Sequence, residues 1–296
     1  MKRIPVMEDF YSLGTKVGEV VSGLFFGSGD MELEIKADAT PVTIADKTVY
    51  KLVGDWRDAL FPDLAIVSEE GHKGELTGDP DQYHLRLDEI DGTVTYVQGQ
   101  PAFSSLFALI RGSKVVASMI VDPIGRRIYT AEEDKGAFCN KVRIKVQQAL
   151  PPIPTVGIVS WPYRIKDGKP INNMLLRDML SGKRGSVAGK LHDRGFAVQD
   201  CPSIGYFDAF VAAGKISATI FPGPTLHDTA AGDLLVREAG GVARDLYGHT
   251  LSYSKPYVFG HICASRVIYQ VVEDVVSDVL KSQQIDSYDP LLSWKF

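Results

Sequence analysis

Leu87-Asp88-Glu89-Ile90-Asp91-Gly92-Thr93 is the stretch on which the reading of this chain turns. It follows His84 to Leu87, a short run that reads as a strand and delivers Asp88 at its end. Two carboxylates at a strand end can converge on a hard cation, which prefers oxygen ligands. Gly92 lets the backbone approach a ligand closely. If a helical turn starts there, the N–H groups of Gly92 and Thr93 face outward and suit an anion. Carboxylates for metal beside amides for phosphate suit phosphoryl transfer.

Three other readings compete. An EF-hand loop needs acidic groups at its first, third and fifth positions and a Glu at its twelfth. Here the third is Ile90 and the twelfth is Gly99, which excludes it. A phosphatase with an aspartyl nucleophile in a D-x-D-G-T setting would put its nucleophile on Glu89, the wrong residue. The third reading is a plain turn with solvated acids.

Outward from this stretch, the N-terminal part carries two amphipathic patterns. Phe10, Leu13, Val17, Val20 and Leu24 recur at helical spacing, with Gly14, Gly18 and Gly23 either allowing close packing or fraying the helix. A polar loop runs from Gly27 to Thr40. Thr43 to Leu60 reads as a second helix with Val49, Leu52, Val53, Trp56 and Leu60 as its buried stripe. A strand, Leu64 to Val67, ends at Ser68-Glu69-Glu70-Gly71. Downstream, Phe103 to Ile110, Lys114 to Val121 and Arg127 to Thr130 read as a meander of strands, hence an antiparallel sheet. Around Leu150-Pro151-Pro152 the texture changes. Thr155 to Ser160 and Ile216 to Phe221 read as strands. Asn172 to Leu180, Ser203 to Ala213 and Leu226 to Ala239 read as helices. Alternation of this kind predicts an α/β layer, so the chain divides into halves at 1–150 and 151–296.

The bulk composition narrows the classes of function. The chain has 296 residues, 45% hydrophobic and 23% charged, enough for a large core and unlike a disordered protein. Its net charge of -5, with no basic stripe, argues against nucleic acid as partner; Arg126-Arg127 and Lys183-Arg184 are isolated pairs. Three scattered cysteines indicate neither a disulfide framework nor a zinc knuckle. No signal peptide or bilayer-length apolar run is visible, so the expectation is a cytoplasmic protein without a membrane partner.

The central stretch resembles the first signature of the inositol monophosphatase family, usually D-P-I-D-G-T. His227-Asp228-Thr229-Ala230-Ala231-Gly232, continuing through Leu234 to Gly241, is similar to its second signature, W-D-x-A-A-G followed by a Leu-rich E-A-G-G helix. Val67 to Gly71 resembles the family's G-E-E segment, and Pro41 to Asp46 its V-T-x-A-D segment. The four occur in family order from about Phe10 to Ala264.

The resemblance implies an α-β-α-β-α layered sandwich of the sugar-phosphatase type, a homodimer, and two or three Mg²⁺ ions. By that analogy Glu69, Asp88 and the Ile90 carbonyl hold one ion. Asp88, Asp91 and Asp228 hold the second, and a third leans on Glu69. Thr93 with Asp46 would orient a metal-activated water and take its proton. The Gly92 and Thr93 amides would hold the phosphate of a small phosphorylated metabolite. Inhibition by Li⁺ is also implied. Each acid has a plainer reading: Asp46 and Asp228 as helix caps, Glu70 as a solvated neighbour.

The sequence also departs from the family. Glu89 replaces the usual Pro, and His227 the usual Trp, where it reads as a packing or substrate-edge residue. Phe221 stands where animal-type enzymes carry a Glu that binds inositol hydroxyls. An aromatic ring cannot accept those bonds, which weakens inositol 1-phosphate as preferred substrate. Phe221, with Ser203, Ile204 and Gly205, is expected on the substrate side. Nucleotide 3′-phosphatase, histidinol-phosphate phosphatase and fructose-1,6-bisphosphatase activities are the alternatives. A catalytically idle relative should have lost a metal carboxylate, and none is lost.

Overall fold

The computed structural model describes residues 3–27, 29, 31–36, 41–159, 164–166, 169–171, 185–223, 225–254 and 257–282. The expected helix at Asn172–Leu180 and the Lys183-Arg184 pair lie outside them.

Two sheets alternate with three helical layers. The chain begins with α1 (Met7–Phe26), a small ladder of β1 (Glu34–Ile35) with β2 (Pro41–Val42), and α2 (Ile44–Leu60). The first large sheet follows: β3 (Ala65–Ser68), β4 (His72–Lys73) and β5 (Tyr83–Asp91), then a short helix α3 (Thr93–Val97). It continues with β6 (Ser104–Arg111), β7 (Lys114–Asp122), β8 (Arg127–Glu132), β9 (Gly136–Cys139) and β10 (Val142–Arg143). The eight strands lie in the order β10-β9-β8-β7-β6-β5-β3-β4, antiparallel except where β3 pairs with β5.

The second sheet takes β11 (Thr155–Ile158), while β12 (Arg164–Lys166) and β13 (Lys169–Ile171) form a separate hairpin. After α4 (Val187–Asp193) come β14 (Ala197–Asp200), α5 (Ile204–Ala212), β15 (Ala218–Phe221) and α6 (Leu226–Glu238). β16 (Val242–Arg244), β17 (His261–Ala264) and α7 (Arg266–Ser282) complete the described chain. The order is β14-β11-β15-β17-β16, with β14, β11 and β15 parallel and β17 antiparallel to its neighbours.

The layering follows from which faces are apolar. Phe10, Leu13, Val17 and Val21 of α1 are fully buried in a cluster with Met119, Val121 and Ile128 of the first sheet. Gly14 serves close packing rather than fraying, since a Cβ there would sit 2.5 Å from the sulfur of Met119. α5 and α6 lie between the two sheets. Ala230, Ala231, Leu234, Leu235 and Val236 are therefore all buried, an apolar surface on every side such as a sandwiched helix needs. The outer layer is α4 with α7, whose Ile268, Val272, Val275, Val276 and Val279 cover the second sheet.

The α-β-α-β-α sandwich expected from the family resemblance is what the chain forms. Several details differ from the sequence reading: Leu60, expected in the buried stripe of α2, is exposed, and the expected polar loop from Gly27 to Thr40 contains β1. β5 runs on to Asp91 instead of ending at Asp88, with an irregularity in its pairing to β6 between those residues. β14, β16, β17, α4 and α7 were not anticipated; α7 is strongly amphipathic, but it lies beyond the motifs that held the reading.

Candidate active site

Asp88 and Asp91 are brought into the site by the end of β5, where pairing with β6 shifts register. A flat strand would keep Asp88 and Asp91 on opposite faces, because three residues is an odd step. The irregularity removes that constraint. Asp228 arrives from the other half, in the first turn of α6. One carboxylate oxygen from each of Asp88, Asp91 and Asp228 lies within 4.8 Å of the others.

Asp91 is the most heavily braced. Ser203 Oγ donates to its carboxylate at 2.6 Å, the Gly205 amide at 2.8 Å and Ser104 Oγ at 3.2 Å. The Ile204 amide approaches at 3.3 Å. Asp91 thus sits on the N-terminus of α5, where free amides and the helix dipole favour an anion. Ser203, Ile204 and Gly205, expected on the substrate side, are buried and hold the Asp91 carboxylate. Asp228 is held by the hydroxyl of Thr225, the residue that caps α6. His227 stands beside it, Nε2 3.9 Å from Asp228 Oδ1.

Burial and repulsion from neighbouring carboxylates hold Asp88 and Asp91 above the usual range. Asp91 is pushed up to about 7, by burial first and by Asp228, against the bonds from Ser203, Gly205 and Ser104. Asp88 is raised by burial and by the charges of Glu69, Asp228 and Asp91. Only oxygen atoms converge here, and repulsion disfavours their charged form. A divalent hard cation relieves both conditions, so the donor set fits Mg²⁺.

Glu69 and Glu70 are bridged by a residue the sequence reading passed over. Lys36 Nζ lies 3.1 Å from Glu69 and also pairs with Glu70. Burial lowers the lysine's pKa, but the two glutamates raise it, to about 12. Glu70 is thus paired and only 14% exposed, not a solvated neighbour. No local pattern could have revealed this, since Lys36 stands 33 residues before Glu69.

Glu89 is buried and accepts from Ser68 Oγ at 2.6 Å, while its second oxygen has no hydrogen-bond partner. Burial raises it to about 8, with the Ser68 bond opposing. It is not part of the Asp88–Asp91–Asp228 convergence.

Asp46 does close the capping box of α2. Its Oδ2 accepts from the Thr43 amide at 2.7 Å and from Thr43 Oγ1 at 2.6 Å. Burial nevertheless pushes it up to about 6, against those two bonds. The Thr93 hydroxyl donates to the Ile90 carbonyl at 2.9 Å, so its single hydrogen is not directed at Asp46 in this state. Gly92 is left-handed at φ 90° and caps α3. A Cβ there would lie 2.9 Å from Ser203 Cβ and 3.2 Å from the Pro202 carbonyl. Glycine therefore lets the two halves meet at the site.

Phe221 ends β15 at 9% exposure, its ring 5.6 Å from that of His261 and its edge beneath Gly223. It offers a substrate little surface. Phe221→Glu is expected to bury a charge and cost more than about 3 kcal/mol in a denaturant titration. Inositol 1-phosphate hydrolysis per folded molecule should not rise.

The raised carboxyls predict an inverted pH dependence of stability. Asp91 and Glu89 have folded-state pKa values above their unfolded ones, about 7 and about 8. The folded chain therefore binds more protons, and its stability falls as pH rises from about 5 to about 8. Melting curves in EDTA should show this fall, and Mg²⁺ should restore the lost stability at the upper end.

An α-β-α-β-α sandwich with three converging aspartates and a helix-capping glycine beside them is the architecture of a phosphomonoesterase. A model of the inositol monophosphatase family matches residues 4–279. The chain belongs to the inositol monophosphatase family, and it is a phosphoric monoester hydrolase. It is 28% identical over 249 residues to an inositol-1-monophosphatase of Mesorhizobium japonicum, covering 84% of this chain and 88% of that one. It is 27% identical over 279 residues to the Nus factor SuhB of Pasteurella multocida, covering 92% and 96%. The solved IMPase of Thermotoga maritima superposes with a TM-score of 0.76 at 26% identity, covering 93% and 98%. Among the described residues, no helix is long and apolar enough to cross a membrane.

Proposed function

We propose that this chain hydrolyses a small phosphorylated metabolite with Mg²⁺, two or three ions being held by Glu69, Asp88, the Ile90 carbonyl, Asp91 and Asp228. The observation that carries the proposal is the convergence of Asp88, Asp91 and Asp228 within 4.8 Å. An IMPase/NADP phosphatase of the same fold, 20% identical, has been solved with Mg²⁺ and phosphate, which supports the choice of ion. A staphylococcal inositol monophosphatase of this fold has been solved as a lithium-soaked inhibitory complex, which supports Li⁺ sensitivity. Bound among these carboxylates, Mg²⁺ supplies charge neutralisation and lowers the pKa of water.

The protein's own groups do the rest. The amides of Gly92 and Thr93, at the start of α3, hold the phosphate. Asp46 takes the proton of the attacking water through Thr93, whose hydroxyl turns from Ile90 toward Asp46 when substrate binds. A carboxyl raised to about 6 is a suitable base near neutral pH. Turnover in saturating Mg²⁺ should therefore rise with pH as Asp46 loses its proton, at or below the value of about 6 that it has without metal. Asp46→Asn should flatten that limb; an unchanged pH profile in the variant would remove Asp46 from the proton path.

Phosphate release from inositol 1-phosphate, adenosine 3′,5′-bisphosphate, histidinol phosphate, fructose 1,6-bisphosphate and glycerol 2-phosphate tests the whole reading. Release should require Mg²⁺, stop in EDTA and fall with Li⁺. Release that persists undiminished in EDTA would overturn the metal assignment. A homodimer acting in the cytoplasm is part of the same proposal, and size-exclusion chromatography checks the dimer.

A further inference from the structure

A second cluster of metal-ligating side chains lies deep between the central helices and the second sheet. Asp208 on α5 and His261 and Cys263 on β17 each offer one donor atom within 4.8 Å of the others. Asp208, His261 and Cys263 are all fully buried, at 0% exposure. None belongs to the aspartate site, and no motif in the sequence pointed to them.

The protein satisfies this cluster only in part: the Cys263 thiol bonds to Asp208, while both His261 nitrogens and Asp208 Oδ2 lack a partner of hydrogen-bond geometry. His261 Nε2 stands 3.0 Å from Asp208 Oδ2, close enough to pair but without hydrogen-bond geometry. His261 Nδ1 has no hydrogen-bond partner at all, and neither has Asp208 Oδ2. A fully buried imidazole with no well-formed hydrogen bond is rare, because buried polar groups are normally hydrogen-bonded. Thr219 donates its hydroxyl to the other oxygen of Asp208, which fixes that carboxylate and leaves Oδ2 turned to the cluster. Support of this kind from a neighbouring hydroxyl orients ligating carboxylates. Gly232 of α6 leaves the room, since a Cβ there would lie 2.0 Å from Asp208 Oδ2.

The donor set differs in chemistry from the aspartate triad. Imidazole nitrogen, thiolate sulfur and carboxylate oxygen suit a borderline d-block ion, while Mg²⁺ takes oxygen alone. Tetrahedral Zn²⁺ has bonds of about 2.0–2.3 Å, so its ligand atoms stand about 3–4 Å apart, as these atoms can. We infer that Asp208, His261 and Cys263 form a structural site for Zn²⁺ or a similar d-block ion. The ion ties α5 to the second sheet, behind the helix end that braces Asp91. Cys263 gives up its thiol proton when the ion enters, and no redox step is involved. Burial means that the site loads as the chain folds.

Cobalt reports the sulfur bond directly, without reference to turnover. Full-length wild type and the C139A/C201A, C263A and D88N variants are refolded with Co²⁺, dialysed against Mg²⁺, and checked for folding by circular dichroism. Wild type, D88N and C139A/C201A should show a sulfur-to-cobalt charge-transfer band and about one tightly held ion per chain. C139A/C201A keeps Cys263 as its last thiol, because the chain has only three cysteines. C263A should lose the band and bind the ion at least about 100-fold more weakly. Zinc in wild type purified from zinc-supplemented medium should match the cobalt count. Folded wild type without a band, or a band that is lost in C139A/C201A, would overturn the inference. The D88N arm separates this site from the aspartate triad, so the outcome does not depend on the proposed reaction.

Discussion

Replacing Asp91 with Asn is expected to lower Mg²⁺-dependent phosphate release by at least about 10²–10³-fold, on the scale of removing one preorganised electrostatic partner of a reaction. The side chain has two tasks, and the variant damages both. It removes one of three carboxylates that converge within 4.8 Å. It also replaces an acceptor oxygen by an NH₂ group, against donors from Ser203, Gly205 and Ser104. One unpaired buried donor costs about 1–3 kcal/mol. Relief of repulsion with Asp228 offsets part of that cost. The melting temperature in EDTA should therefore change little, while the Mg²⁺-induced rise should shrink sharply. Melting with and without Mg²⁺, beside the phosphate assay, separates the two tasks. Full activity in a folded Asp91→Asn protein would refute the metal role.

Gly92→Ala should have the second-largest effect. Its backbone is left-handed at φ 90°, which an alanine adopts only with strain. The new methyl would also meet Ser203 Cβ at 2.9 Å. Ser203 is the strongest brace on Asp91, at 2.6 Å. Strain and clash together should cost about 2–4 kcal/mol and displace the amides proposed to hold the phosphate. A loss of both stability and kcat is expected, with KM for substrate rising. Chemical denaturation and steady-state kinetics measure these separately. A stable, fully active Gly92→Ala protein would mean that α3 tolerates another turn geometry and that the phosphate contact lies elsewhere.

Much of this architecture was legible in the sequence because local chemistry dictated it. The apolar spacing of Phe10, Leu13 and Val17 made α1 a helix, and those residues are its buried face. The strands read at Phe103 to Ile110, Lys114 to Val121 and Arg127 to Thr130 do pair as an antiparallel meander, because the breaks between them are short and rich in Gly and Pro. Asp88, Asp91 and Asp228 were legible as a group through their motifs, although 137 residues separate Asp91 from Asp228.

Other features depended on partners that are distant in the chain. Ser203, Ile204 and Gly205 were expected beside the substrate, yet they hold Asp91, because α5 points its free amides at the end of β5. Lys36 bridges Glu69 and Glu70 across a separation that no helical or strand periodicity encodes. Phe221 occupies a substrate position by motif counting, but the antiparallel β15–β17 pairing sets it against His261 instead. The Asp208–His261–Cys263 cluster exists only because α5 and β17 pack together. Periodicity and turn chemistry act over a few residues, so the sequence by itself determined the elements and the acid-bearing strand and helix ends. Hydrogen-bond partners, counter-charges and burial arise where layers meet, and only the tertiary structure decided them.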